Sequence, residues 1–182
     1  MNLSSENIGV YVLLLMGLPG IGKTTVIRKV FEGISGKKIR GFTTEEIRAK
    51  GERKGFRIES FDGKSEILAH VEFSKTHRVG KYGVDISALE KIVETSLKLD
   101  ENTTVYLIDE IGKMECLSKR FVESVTLLLD SKVPLVATIS TKGGGFIERV
   151  KQRSDVEVWE VMKENRDELP EKVIAWLSEK NP

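Results

Sequence analysis

Val10-Tyr11-Val12-Leu13-Leu14-Leu15-Met16-Gly17-Leu18-Pro19-Gly20-Ile21-Gly22-Lys23-Thr24-Thr25 is the stretch that decides the fold. Its first seven residues form an apolar run that reads as a strand. Beyond Lys23, residues Val26, Ile27, Val30 and Phe31 fall at helical spacing. Between strand and helix, Gly17 to Thr24 fits G-x-x-x-x-G-K-[ST] in the context that motif requires. Glycines let the backbone curl so that successive N–H groups converge on phosphate oxygens, which a Cβ would obstruct. The following helix adds its unbonded N-terminal N–H groups and the positive end of its dipole. Lys23 is expected on the β- and γ-phosphates and the Thr24 hydroxyl in a Mg²⁺ shell. The plainer reading is a Gly-rich turn without a ligand. A chain of this length matches the bare pattern by accident only about once in a hundred cases.

The 182 residues suit one domain, residues 1–182, large enough to bury a core without staples. With 29 Lys and Arg against 28 Asp and Glu, no overall field points to nucleic acid or a membrane. The single cysteine, Cys116, excludes an internal disulfide framework and fits a reducing cytoplasm, where a monomer is expected. No run reaches the roughly 18–20 apolar residues of a membrane span. Met1–Gly9 lacks the basic start and apolar stretch of a secretory signal. Lys and Glu are abundant while Gln152 is the one glutamine, a bias seen in hyperthermophile proteins.

Further along, strands and helices alternate. Lys38–Phe42 reads as a short second strand, and the alternating runs within about 45–71, with a hairpin signal at Asp62-Gly63, read as an antiparallel insertion at a sheet edge. A loop from Phe73 to Asp85 leads to a helix for which Ser87 and Glu90 make a capping box. Thr104–Ile108 has the near-continuous apolar pattern of a central parallel strand. A helix over Ser118–Leu129, a strand over Val133–Ile139, a short helix over Phe146–Lys151, a strand over Val156–Val161 and a terminal helix with Leu169, Val173 and Leu177 inward complete the order. Repeated strand–helix units predict an α/β three-layer sandwich with a mostly parallel sheet.

Asp109-Glu110 closes the buried strand, and in phosphate-loop proteins such a strand is expected beside the one feeding the loop. Asp109 is expected to hold Mg²⁺ opposite Thr24, and Glu110 to serve as general base or water-positioning group. An ordinary strand-terminal carboxylate that caps the next helix is the alternative. The nucleotide-binding stretches are Gly17, Leu18, Pro19, Gly20, Ile21, Gly22, Lys23, Thr24 and Thr25, together with Val105, Tyr106, Leu107, Ile108, Asp109, Glu110, Ile111 and Gly112.

Four further blocks carry a family resemblance. Gly41-Phe42-Thr43-Thr44-Glu45-Glu46-Ile47-Arg48 is similar to G-F-x-T-E-E-[VI]-R, and Arg78-Val79-Gly80-Lys81-Tyr82-Gly83-Val84-Asp85 to R-V-G-x-Y-x-V-D. Asp109-Glu110-Ile111-Gly112-Lys113-Met114-Glu115 resembles D-E-I-G-K-M-E, and Lys163-Glu164-Asn165-Arg166 a C-terminal K-E-N-R. These are the blocks of the small nucleoside-triphosphatases first recognised in thermophiles, with a human cancer-related member. The resemblance runs from Gly17 to Arg166 and departs slightly at Cys116, where Leu is common. It implies a RecA-like core and Mg²⁺-dependent hydrolysis of the terminal phosphate of ATP, GTP and other nucleoside triphosphates, with little base preference.

Charge spreading over the transferred phosphoryl group calls for a cation. Arg78, in a Gly-flanked loop, leads Arg48 and Arg166 as the expected arginine, with Lys113 a solvated alternative. Thr138 and Ser140 either sense the γ-phosphate or cap the turn after their strand. Asn165-Arg166 either touches base or ribose, or Asp167 merely caps the last helix. His70 and His77 have no metal-ligand spacing, and Trp159 and Trp176 follow core patterns. A kinase on the same core, or a nucleotide-dependent switch, are the competing functions. The first would show as dependence on an acceptor, the second as stimulation by a partner.

Overall fold

The computed structural model describes residues 9–181, so the reading of Met1–Gly9 falls, Gly9 apart, outside the described residues. The apolar run becomes β1 (Val12–Met16), and α1 (Lys23–Gly33) follows the glycine loop. Then come β2 (Ile39–Ala49), β3 (Glu52–Ser60), β4 (Ser65–His70), β5 (Arg78–Val79) and β6 (Tyr82–Val84). The second half alternates as α2 (Ile86–Ser96), β7 (Val105–Ile111), a 3₁₀ turn at Glu115–Leu117, α3 (Lys119–Leu129), β8 (Leu135–Ile139), α4 (Phe146–Lys151), β9 (Val156–Glu160) and α5 (Leu169–Lys180). None of the described helices is long and apolar enough to cross a membrane.

The nine strands of the described residues join one sheet in the order β5-β6-β4-β3-β2-β7-β8-β1-β9. The pairs β2–β7, β7–β8, β8–β1 and β1–β9 are parallel, and those on the insertion side are antiparallel. Alternation along each central strand divides the core. Leu13 and Leu15 of β1, with Val105 and Leu107 of β7, pack against Val26, Ile27, Val30, Val173 and Trp176 of α1 and α5. Leu14, Tyr106 and Ile108 point the other way, to Leu89, Ile92, Phe121 and Val125 of α2 and α3. Burial on both faces is what a continuous apolar strand encodes.

Several expectations are corrected. The strand ending in Asp109-Glu110 is not beside β1, because β8 is hydrogen-bonded between β1 and β7. The second strand does not stop at Phe42. It pairs with β7 through Ile39–Phe42 and continues as the first strand of the insertion, pairing with β3 as far as Ala49↔Glu52. Gly41 permits this passage: its φ is +117°, and a Cβ there would collide with the Leu107 carbonyl. Within Phe73–Asp85 the chain forms the small hairpin β5–β6 rather than a plain loop. Helix α2 starts one residue after Asp85, whose Oδ1 accepts the Ala88 N–H at 2.9 Å, so Asp85 replaces Ser87 as cap. Glu90, freed from capping, accepts the Ser118 hydroxyl at 2.8 Å.

Candidate active site

Strand β1 delivers the chain to the loop, and Gly20 and Gly22 turn it with φ of +77° and +117°. Gly22 occupies the N-cap of α1 without any side-chain cap, so no side chain competes there for the first helical N–H groups. Lys23 is buried, and its ammonium donates to the carbonyls of Gly17 at 2.7 Å and Leu18 at 3.2 Å. Glu110 Oε2 stands 3.9 Å from the same nitrogen. On the carboxyl-terminal side, Arg166 donates from Nη1 to Ile21 O at 3.0 Å and braces the loop. Asn165 accepts the Met162 N–H, and Glu168 rather than Asp167 precedes α5 at its N-cap.

Asp109 closes the gap between the halves of the molecule. Thr24 Oγ1 donates to its Oδ2 at 2.7 Å, and the buried Thr138 hydroxyl donates to its Oδ1 at 2.8 Å. Thr44, at the end of the β2–β7 pairing, adds its hydroxyl 3.4 Å from Oδ2. Thr138 thus orients the carboxylate. The three oxygens Thr24 Oγ1, Thr44 Oγ1 and Asp109 Oδ2 are hard donors, and Mg²⁺, which keeps several waters and takes few protein ligands, fits them.

Glu110 follows at the cavity wall. Ser140 donates to its Oε1 at 3.2 Å. Burial raises its pKa, opposed by the Lys23 ammonium and reinforced by Asp109. An acid shifted upward is a better proton acceptor near neutral pH. Behind it, Gly112 is held by space: a Cβ would lie 2.7 Å from Glu110 Oε1 and 2.8 Å from Glu115 Oε2. Glu115 is enclosed, and burial with the nearby Glu110 charge pushes its carboxyl up to about 8.

These groups share a cavity of about 610 Å³. Gly17, Pro19, Gly20, Gly22, Lys23, Thr24 and Thr25 line it from the loop, and Asp109 and Glu110 from β7. The other residues of the expected binding set do not turn their side chains into it. Leu18 faces solvent, Ile21 packs into the core, and Val105, Tyr106, Leu107, Ile108 and Ile111 are fully enclosed by the helical layers. They aim Asp109 but do not face the cavity, and Gly112 makes room for the carboxylates rather than lining it. Arg78 is exposed on β5, its Nε donating to Gly80 O at 2.9 Å, and it is not part of the wall. Arg48 is held outside the cavity by Glu46. Sequence reasoning missed Thr44, Glu115, Arg28 and Arg53, all of which do line it. The first two sit inside quoted family blocks, which was their available signal.

A glycine loop between a buried strand and a helix, faced by an Asp-Glu pair, defines a phosphate-loop nucleotide-binding α/β protein. A family model described as NTPase matches residues 12–174. The nucleoside-triphosphatase THEP1 of Thermotoga sp. (strain RQ2) is 40% identical over 166 residues, covering 91% of this chain and 94% of that protein. The THEP1 protein of Natranaerobius thermophilus is 43% identical over 171 residues, 92% of this chain and 96% of its own. The crystal structure of THEP1 from the hyperthermophile Aquifex aeolicus matches with a TM-score of 0.82 at 35% identity, over 91% of this chain and 98% of that one. The solution structure of a human cancer-related nucleoside triphosphatase matches with a TM-score of 0.79 at 33% identity, over 93% and 98%. The chain belongs to this nucleoside-triphosphatase family.

Proposed function

We propose that this nucleoside-triphosphatase releases the terminal phosphate of ATP, GTP, CTP, UTP and TTP with little distinction among bases, in a Mg²⁺-dependent reaction. The observation that carries the reading is the 2.7 Å bond from Thr24 Oγ1 to Asp109 Oδ2, which joins motifs 85 residues apart. Loop amides and the N-terminus of α1 bind the phosphate chain, and Lys23 exchanges the Gly17 and Leu18 carbonyls for β- and γ-oxygens. Thr24 and Asp109 would hold Mg²⁺ through its water shell, where it would offset phosphate charge. Glu110 orients a water and takes its proton as the water oxygen bonds to the γ-phosphorus. The bridging bond to the β-phosphate breaks, leaving a nucleoside diphosphate and phosphate. Ser140 steadies Glu110 through its 3.2 Å bond.

Broad base use is supported by the contacts themselves, which come from a glycine loop, a lysine and two carboxylates that address the phosphates. We read residues 1–182 as one catalytic domain whose insertion, about 45–71, builds the wall opposite the loop, a reading supported by the single nine-stranded sheet. Phosphate release from each of the five triphosphates, assayed hot with Mg²⁺ and with excess EDTA, tests the proposal. Turnover of all five within about tenfold, abolished by EDTA, is expected. Use of one triphosphate alone, or undiminished release in EDTA, contradicts it.

A further inference from the structure

We infer that Arg53, on the insertion hairpin, is the arginine that meets the γ-phosphoryl group, with Glu46 as its positioning residue. The inference rests on the proposed hydrolysis. Strand geometry locates it. Thr44 and Glu46 are two apart on β2, so their side chains emerge on the same face of the sheet. Thr44 places its hydroxyl 3.4 Å from Asp109 Oδ2. Glu46 therefore stands about 7 Å further along that face, at roughly 3.3 Å of strand rise per residue. From the neighbouring strand β3, Arg53 folds its guanidinium back onto this carboxylate, Nη1 donating to Glu46 Oε1 at 2.8 Å.

Three further contacts fix the guanidinium. Nε donates to Tyr82 Oη at 2.9 Å, and the carbon of the group lies 5.2 Å from the Phe56 ring centre and 5.8 Å from that of Tyr82. Nη2 makes no hydrogen bond among the described residues. This is a planar donor fork, oriented in advance, whose free corner is available to a phosphoryl oxygen. The side chain is 43% exposed, where an ion pair adds little stability, so holding the fold does not explain four contacts on one guanidinium. Arg53 and Glu46 line the cavity that contains Lys23, Thr24 and Glu110, whereas Arg48, Arg78 and Arg166 do not. Arg28, also on the wall, stands 3.8 Å from Glu45, and its Nε is buried without a hydrogen-bond partner among the described residues, so its guanidinium lacks the set of contacts that orients Arg53. Charge building on the equatorial oxygens in the transition state is the role assigned to Arg53 ahead of Arg28 and Lys113 on the same wall, because four contacts hold its planar fork in place; an arginine there is worth about 10³–10⁵ in rate.

The test compares wild type, R53A, R53K, R48A and K23A in phosphate release, binding of a fluorescent ATP analogue, and melting temperature. R53A should lose about a hundredfold or more in kcat while its Kd for the analogue stays within about threefold and its melting temperature within a few degrees. R53K, which keeps the charge but not the fork, should fold like wild type and also lose most of kcat. R48A removes the other arginine on Glu46 and should retain full turnover. Near-normal kcat in R53A or R53K overturns the inference. So does a loss shared by R48A, or one matched by a fall in melting temperature. Failure of wild type to hydrolyse triphosphate, or full activity in K23A, would instead sink the proposed hydrolysis itself.

Discussion

Replacing Thr138 by Val isolates the contact on which the geometry of Asp109 depends. Thr138 is fully buried, and its hydroxyl is one of two that approach the Asp109 carboxylate closely, at 2.8 Å against 2.7 Å for Thr24. Valine preserves the shape, so no cavity opens, but one oxygen of a carboxylate that is 2% exposed loses its donor. A hydrogen bond to a charged group contributes about 1.5–3 kcal/mol, and for a chain of this size each kcal/mol moves the midpoint by about 2–4 °C, so the melting temperature should fall by roughly 3–12 °C. T138S keeps the donor and should lose much less. Chemical denaturation of wild type, T138V, D109N and the double variant measures the coupling directly, and a coupling of at least about 1 kcal/mol is expected for groups in contact. T138V should also require more Mg²⁺ for half-maximal hydrolysis, because Oδ2 is no longer held toward Thr24. A T138V protein within about 0.5 kcal/mol of wild type, or one additive with D109N, would refute this assignment.

Two other outcomes follow from shifted acids. Glu115 ionises near 4.5 when unfolded but near 8 in the fold, so unfolding releases a proton between those values and metal-free wild type should lose stability as pH rises through that window. Gln at this position removes the titration, and denaturation curves of E115Q should lack that slope; an unchanged slope contradicts the assignment. Asp100, held by Lys38 at 2.7 Å, by the Asn102 N–H and by Arg40, is lowered to about 2, so its stabilising effect is fully present above about pH 4 and is lost as pH falls through about 2. D100N should therefore be less stable than wild type at pH 7 and approach it only well below pH 2; a difference independent of pH would contradict this.

Local chemistry was readable from the chain, and non-local pairing was not. The run Val10–Met16, the glycine loop and the helix of Val26, Ile27 and Val30 are contiguous, so their order already states strand, anion site and helix. Phe146–Lys151 formed as a helix with the residues its pattern indicated. The place of β8 between β1 and β7 depends on hydrogen bonds between segments distant in sequence, which periodicity does not encode. Asp85 and Ser87 are both competent caps, and the backbone entering α2 decides between them. Arg53 reads in sequence as one charge among many on a solvated hairpin. Only the packing of β3 on β2, with Phe56 and Tyr82 beside it, shows where the guanidinium goes. Thr138 was visible as a strand-end hydroxyl, but its partner 29 residues away was not.

The most direct measurement is a paired one on E110Q: the affinity for Mg²⁺ and ATP, and the rate of phosphate release in a single turnover. In the proposed mechanism the phosphates are gripped by Gly17–Thr24 and the Mg²⁺ is held by Thr24 and Asp109, so binding should stay within about threefold of wild type. Removing the proton acceptor should slow release by about 10²–10⁴-fold. An E110Q protein that binds and hydrolyses ATP as wild type does would contradict the account.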